Sequence, residues 1–273
     1  MSAELTFAND YLRHPPRQAF WKKFSTTARN RGVCFAGRVG LANPMWRVTG
    51  PLGRSLKQTL WARESRQFDR TYKVRTAGWI AVRNMNVKES LAAAGSDYVG
   101  LRPKFIRYLL RDVDLDHRCC TFVDFGSGMG RVLFAAADYP YKKIIGVEFS
   151  PELHQIAEAN IHSYTNPNQK CFDLTSLCMS ADEYALPDGD LVLFFSNPFG
   201  PAIMEPVLSN IAAALARSPR NGYILYAKPK SGYLMDRAPY LNKVSEGLLA
   251  DYWYSIYKFS LPNKMRSAEE RSS

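Results

Sequence analysis

Apolar residues recur at helical spacing twice in the first half of the chain. Over residues 54–68, Leu56, Leu60, Trp61, Glu64 and Phe68 share a face with basic residues opposite, which predicts a helix. Over residues 103–113, Phe105, Ile106, Leu109, Leu110 and Val113 form a second stripe, read as core, and Pro103 suits a first helical turn. Residues 1–50 lack such a period. Pro15–Pro16, Gly32, Gly37, Gly40, Pro44 and Gly50–Pro51 interrupt them, so they read as loop with short helical pieces.

From residue 120 the pattern alternates. Short apolar runs at 121–125, 143–148, 176–179, 190–196 and 222–228 predict strands, and the run at 190–196 is apolar enough to be buried on both faces. Helical patterns at 131–138, 151–162 and 201–215 separate them. Leu153, Ile156, Ala157 and Ile161 point inward from the second of these, with Ser150 as its N-cap and Glu152 in its first turn. Residues 242–249 and 252–261 predict a closing antiparallel pair. Strands alternating with helices imply an α/β fold with a mostly parallel sheet and right-handed crossovers. The polar end from Asn263 is expected to fray.

At 273 residues, with 46% hydrophobic and 22% charged, the chain suits one large domain or one domain with an extension. No apolar run reaches the roughly 20 residues of a membrane helix. Arg13, His14 and Pro15–Pro16 leave no room for a secretory h-region, and Glu4 and Asp10 argue against a mitochondrial presequence. A cytoplasmic protein is expected. Cysteines at 34, 119, 120, 171 and 178 are odd in number and include no C-x-x-C pair, so no metal is expected and reduced, mostly buried thiols are. The net charge of +11 lies wholly in residues 1–75, which hold 15 Lys and Arg against 4 Asp and Glu. That excess suggests either a solvated basic arm or an acidic partner, a macromolecule or an anionic membrane surface.

The segment Val123-Asp-Phe-Gly-Ser-Gly-Met-Gly-Arg131 falls where the first strand of the sheet turns into a helix. Glycines there permit close backbone approach to a ligand, and the helix start offers free N–H groups. Dinucleotide folds use G-x-G-x-x-G. Here the glycines are Gly126, Gly128 and Gly130, and Arg131 occupies the third dinucleotide position. Asp124 would repel a pyrophosphate but welcome an ammonium. Glu148, ending the next strand, can accept both hydroxyls of a ribose. A cationic end and an unphosphorylated ribose describe S-adenosylmethionine.

D-x-G-S-G-x-G-R followed by G-V-E resembles the cofactor motifs of class I S-adenosylmethionine-dependent methyltransferases, over roughly residues 95–261. The chain further resembles a bacterial group reading FDxxYxVxTAG, DxGSGxGRVL, GVExSPELHxIAExNI and NPF. Its counterparts are Phe68-Asp-Arg-Thr-Tyr-Lys-Val-Arg-Thr-Ala-Gly78, the glycine loop, Gly146-Val-Glu-Phe-Ser-Pro-Glu-Leu-His154 and Asn197-Pro-Phe199. The loop and Phe199-Gly-Pro201 also resemble the non-SET histone-lysine methyltransferases. The resemblance implies a Rossmann-like, mostly parallel seven-stranded sheet with an antiparallel final strand, behind a basic, partly helical N-terminal extension. The corresponding divisions are 1–94, 95–262 and a tail at 263–273. It implies cofactor contacts from Asp124, Gly126, Ser127, Gly128, Gly130 and Glu148. The adenine acid of such enzymes has no direct counterpart: either Ser180, before Ala181, or Asp182 takes that place.

Asn197, Pro198 and Phe199 resemble a shortened N-P-P-Y motif, in which an Asn side chain and a Pro carbonyl orient an amine; the alternative is a plain Asn-Pro turn. Tyr98 and Arg102 lie where related enzymes fold a lid, and Arg102 either meets the methionine carboxylate or is a surface arginine. His154 and His162 are expected to face solvent. An amine acceptor, protein lysine above all, is the leading expectation, ahead of nucleic acid and a small molecule. From other classes, an NAD-dependent oxidoreductase is disfavoured by Asp124 and Arg131, and a non-catalytic binding module by the intact loop.

Overall fold

The computed structural model describes residues 51–85, 87, 93 and 95–259, with side chains from residue 58 onward. The expected loop at 1–50, with that part of the basic segment, and the polar tail lie outside the described residues.

Among the described residues a seven-stranded sheet forms the centre, in the order β5-β4-β3-β6-β7-β9-β8. β3 (Cys120–Phe125), β4 (Lys143–Glu148), β5 (Leu174–Cys178), β6 (Asp190–Ser196) and β7 (Gly222–Ala227) run parallel. β8 (Leu241–Leu249) and β9 (Tyr252–Phe259) form the antiparallel pair, with β9 inserted beside β7. The order reverses at β3, whose neighbours are β4 and β6. That reversal opens a crevice at the carboxyl ends of these strands, where open α/β sheets bind ligands.

Alternation along the central strands supplies both faces. Phe122, Val192 and Phe194 pack with Phe105, Ile106, Leu109 and Leu110 of α2 (Pro103–Arg111) and Leu133 of α3 (Arg131–Ala136). Val123, Leu193, Phe195 and Ile224 pack on the other face with Met204, Val207 and Ile211 of α5 (Pro201–Arg217). Burying one such side chain contributes about 1.5–3 kcal/mol. α4 (Pro151–Ser163) begins as its sequence indicates, with the Ser150 hydroxyl accepting from the Leu153 amide at 3.3 Å.

The first helix is longer than its stripe suggested: α1 spans Pro51–Tyr72. Phe68 is buried and Trp61 half-buried, but Leu60 is 44% exposed, contrary to expectation. The helix turns instead on polar contacts, burying Ser65 and placing Glu64 against Arg102. A two-stranded ribbon, β1 (Trp79–Ile80) with β2 (Tyr98–Val99), and α6 (Gly232–Arg237) were not expected; both are too short to show a period. In α4 the most buried polar position is Asn160, while Ile156 and Ile161 are half-buried. His154 does not face solvent, since its Nδ1 lies 2.8 Å from the Ser176 hydroxyl across the strand beneath. Of the cysteines, Cys120 and Cys171 are buried but Cys119 and Cys178 are exposed, and all four are free. No helix among the described residues is long and apolar enough to cross a membrane.

Candidate functional site

The carboxyl ends of β3, β4, β6 and β7 converge on a cavity, at the edge where open α/β sheets bind ligands. Tyr98, Asp124, Gly126, Ser127, Gly128, Glu148, Asn197 and Pro198 all line it. An adjoining hollow shares Gly126 and Phe149 with it and adds Ser180, Ala181 and Phe199. Gly130 stands behind the loop as the N-cap of α3. Asp182 lines neither space; it accepts a hydrogen bond from the Ser180 hydroxyl. Arg102 does not reach the cavity either. Its Nε and Nη2 donate to Glu64 Oε2 at 3.0 and 2.8 Å, so it ties α1 to the domain rather than meeting a ligand.

The loop after β3 is drawn tightly onto its neighbours. Gly126 and Gly128 have φ of +74° and +56°, a left-handed conformation that glycine adopts without strain. A Cβ on Gly126 would overlap Pro198, and one on Gly128 would overlap the Tyr98 ring. The Gly126 and Ser127 amides donate to Val147 O at 2.8 and 3.2 Å. The Gly128 amide donates to Glu148 Oε2 at 2.8 Å, and the Ser150 amide to Glu148 Oε1 at 2.9 Å.

Two buried acids therefore stand side by side at the switch point. Burial pushes the Glu148 carboxyl up to about 7, against the pull of the Ser150, Gly128 and Phe149 amides. Burial and then the charge of Glu148 hold the Asp124 carboxyl well above its ordinary range. Asp124 Oδ1 is buried without a hydrogen-bond partner. An unsatisfied buried acceptor is costly, and a ligand that brings a cationic donor would satisfy it. The residues present thus fit S-adenosylmethionine: an acceptor for an ammonium, a carboxylate with spare lone pairs for hydroxyls, and a loop that leaves room for both.

Asn197 follows β6 with φ of +49°, although it precedes a proline, a position where helical conformations are disfavoured. Its Nδ2 donates to Ser96 Oγ across a long 3.5 Å, and its Oδ1 makes no hydrogen bond among the described residues. Phe199 pairs with Gly95 in an isolated antiparallel bridge. Residues 95–99 thereby border the two spaces, with the Tyr98 ring against Gly128 of the glycine loop.

Thr76 and Tyr98 are tied to α1 and α3 by a polar network that spacing alone did not reveal. Thr76 is fully buried. Its amide and hydroxyl donate to Asp69 at 2.8 and 2.6 Å, its hydroxyl accepts from Arg131 Nε at 2.8 Å, and its carbonyl accepts from Tyr98 Oη at 2.7 Å. Arg131, itself buried, also donates to Ser65 Oγ and Leu101 O. Asn160 bonds both backbone groups of Arg75 and donates to Met129 O in the glycine loop at 2.9 Å. Asp69, Thr76, Arg131 and Asn160 all fall within the quoted motifs, which was the one available signal. Lys228, after β7, also lines the cavity and carried no signal at all.

Residues 80–176 match the model of the family described as histone methylation protein DOT1. No curated protein matches. Among solved structures, an RNA methyltransferase from Salinibacter ruber in complex with S-adenosyl-L-homocysteine is 16% identical, over 60% of this chain and 95% of that one, with a TM-score of 0.42. A SAM dependent methyltransferase from Aquifex aeolicus is 14% identical, over 59% and 100%, with a TM-score of 0.44. TrmN from Thermus thermophilus is 16% identical, over 59% and 49%, with a TM-score of 0.46. The family match spans the glycine loop and the acid that ends β4, and the strand order and paired buried acids agree with it: the chain is a Rossmann-like, class I S-adenosylmethionine-dependent methyltransferase.

Proposed function

We propose that the methyl acceptor is an amine nitrogen, with a protein lysine the favoured source. The observation that carries this reading is Asn197, seated in the same cavity as Asp124 with its amide oxygen free to accept an N–H. Pro198 and Phe199 follow it, as a carbonyl and a ring would in an amine-orienting motif. The partial match to a family described by histone methylation points the same way.

In this reading Asp124 takes the ammonium of the cofactor, Glu148 its ribose hydroxyls, and Ser180 and Ala181 the adenine end. The cofactor supplies a methyl group on a sulfonium that is already a good leaving group, so the protein's contribution is alignment. Orientation of a near-attack pair is worth about 7–11 kcal/mol. Residues 95–262 form the transferase domain, 1–94 an extension whose later part makes the lid, and 263–273 a tail. The basic residues of 1–75 draw an acidic macromolecule toward the site. Exposed Arg63, Arg66 and Arg70 on one side of α1 belong to that field. We assign the protein to the cytoplasm, where its free thiols would stay reduced.

The test is methyl transfer from labelled S-adenosylmethionine to a Glu/Lys copolymer, a lysine-rich polypeptide, mixed RNA and small amines. Label on lysine supports the reading. Label confined to RNA would replace it with the nucleic-acid reading that the basic segment also favours.

A further inference from the structure

β6 and β7 run parallel, and Ser196 pairs with Ala227 at their carboxyl ends. The next residues are Asn197 and Lys228, and both leave the sheet with left-handed backbone, φ +49° and +52°. That conformation is uncommon for a lysine, and such strain concentrates at functional sites. The Lys228 amide donates to Trp253 O at 2.7 Å, which fixes the turn. Both side chains line the same cavity.

Lys228 is half-buried, and among the described residues no carboxylate pairs with it. Its Nζ stands 5.9 Å from the centre of the Tyr252 ring, on β9. Lys230, on the same turn, adds a like charge. Asp124 and Glu148 face the cavity from β3 and β4, Tyr98 from β2 and Arg131 from α3. Burial first, and Lys230 second, push the Lys228 ammonium down to about 8.

An amine acceptor, the reading on which this inference rests, arrives protonated and needs its lone pair to attack. Few groups can relieve it of the proton. Glu148 has both oxygens engaged by backbone amides, Asp124 is assigned to the ammonium of the cofactor, and His154 is turned to Ser176. We propose that Lys228 is the proton acceptor for the incoming ammonium, working beside Asn197, which orients the same nitrogen. The acceptor's N–H bond breaks and its electron pair stays on the acceptor nitrogen. The proton converts Lys228 from amine to ammonium and passes to water before the next turnover.

The experiment uses the full chain and a Glu/Lys copolymer as acceptor, with Lys228→Met and Lys228→Arg. Binding of S-adenosylhomocysteine and the melting temperature confirm that each variant is folded and loaded. Positioned bases contribute about 10²–10⁴-fold, so both variants should lose at least 100-fold in kcat/KM at pH 7. The wild-type activity should rise through about pH 8 and should not fall at a second limb near roughly 10.4, where the acceptor amine loses its proton unaided. The Lys228→Met profile should lack the first limb and climb toward the second. Carbon-13 NMR titration of the wild-type Lys228 side chain should show it losing its proton well below an ordinary lysine.

Activity retained in Lys228→Met, or restored in Lys228→Arg, whose permanent cation cannot take a proton, would overturn the proposal and leave the amine reading standing. An ordinary lysine titration for Lys228 would overturn it as well. Failure of the wild-type chain to methylate any amine at any pH would end the amine reading, and this inference with it.

Discussion

The ring of Tyr98 rests on Gly128 so closely that a methyl group in place of the glycine hydrogen would overlap its Cδ2 and Cε2. The Tyr98 hydroxyl is anchored to Thr76 O at 2.7 Å, so the ring cannot swing clear without breaking that bond. Gly128→Ala would also place an alanine at φ +56°. The substitution should cost about 1–3 kcal/mol and weaken S-adenosylhomocysteine binding at least tenfold. Gly128→Ala combined with Tyr98→Ala should recover part of the stability, because the overlap goes while the backbone strain stays. Thermal unfolding and calorimetric titration of the three variants check this; unchanged affinity in Gly128→Ala would mean the loop does not meet the ligand.

The two buried acids set a pH dependence. Glu148 has its ordinary value near 4.5 in the unfolded chain and about 7 in the fold. The folded state therefore holds the extra proton. The stability this contributes is complete below pH 4.5 and is lost as pH rises through about 7. Asp124 shifts in the same direction. The unliganded protein should lose up to about 3 kcal/mol across that window, and Glu148→Gln should flatten the loss. An ammonium placed at Asp124 favours its charged form, so stabilisation by S-adenosylhomocysteine should grow with pH. Melting curves between pH 5 and 8, with and without it, decide the point; a stability that rises over the window would contradict the assignment.

Strand positions and the longer helices from residue 103 onward were legible because periodicity and the N-cap at Ser150 act locally, whereas the short α6 was not. So were the acids: Glu148 ends β4, Asp124 stands one residue from the end of β3, and those two strands are paired. Contacts between distant segments were not legible. Arg102 sits near the cavity in sequence, yet Glu64, 38 residues earlier, claims it. His154 lies on a helix flank that looked polar, but Ser176 on the strand below captures its ring. Lys228 ends a strand no differently from an ordinary surface lysine; only the sheet shows that Asn197 is its neighbour.

Thr76 joins Asp69, Arg131 and Tyr98 through three of its own groups. Thr76→Val would leave Arg131 Nε and one Asp69 oxygen without their buried partner. Such orphans cost about 1–3 kcal/mol, more where charged. Thr76→Ser should lose far less, since it keeps the hydroxyl. Equal losses in chemical denaturation would place the effect in packing rather than in the network.

Asn197 separates binding from transfer. Asn197→Gly tolerates the left-handed backbone and removes only the amide. It should hold S-adenosylhomocysteine within about threefold of the parent and lose most methyl transfer, because alignment is removed and the cofactor contacts remain. Asn197→Ala should add a stability loss of about 1 kcal/mol from the backbone. Near wild-type transfer by the glycine variant would reduce Asn197-Pro198-Phe199 to a turn.

Calorimetric titration of S-adenosylmethionine and of NADH into the full-length chain and its Asp124→Asn variant tests the central claim most directly. S-adenosylmethionine should bind the parent and NADH should not. Asp124→Asn should weaken binding at least tenfold, about 1.4 kcal/mol, since an amide cannot compensate the ammonium's charge in a buried site. Binding of NADH without S-adenosylmethionine, or equal affinity in the parent and the variant, would contradict the account.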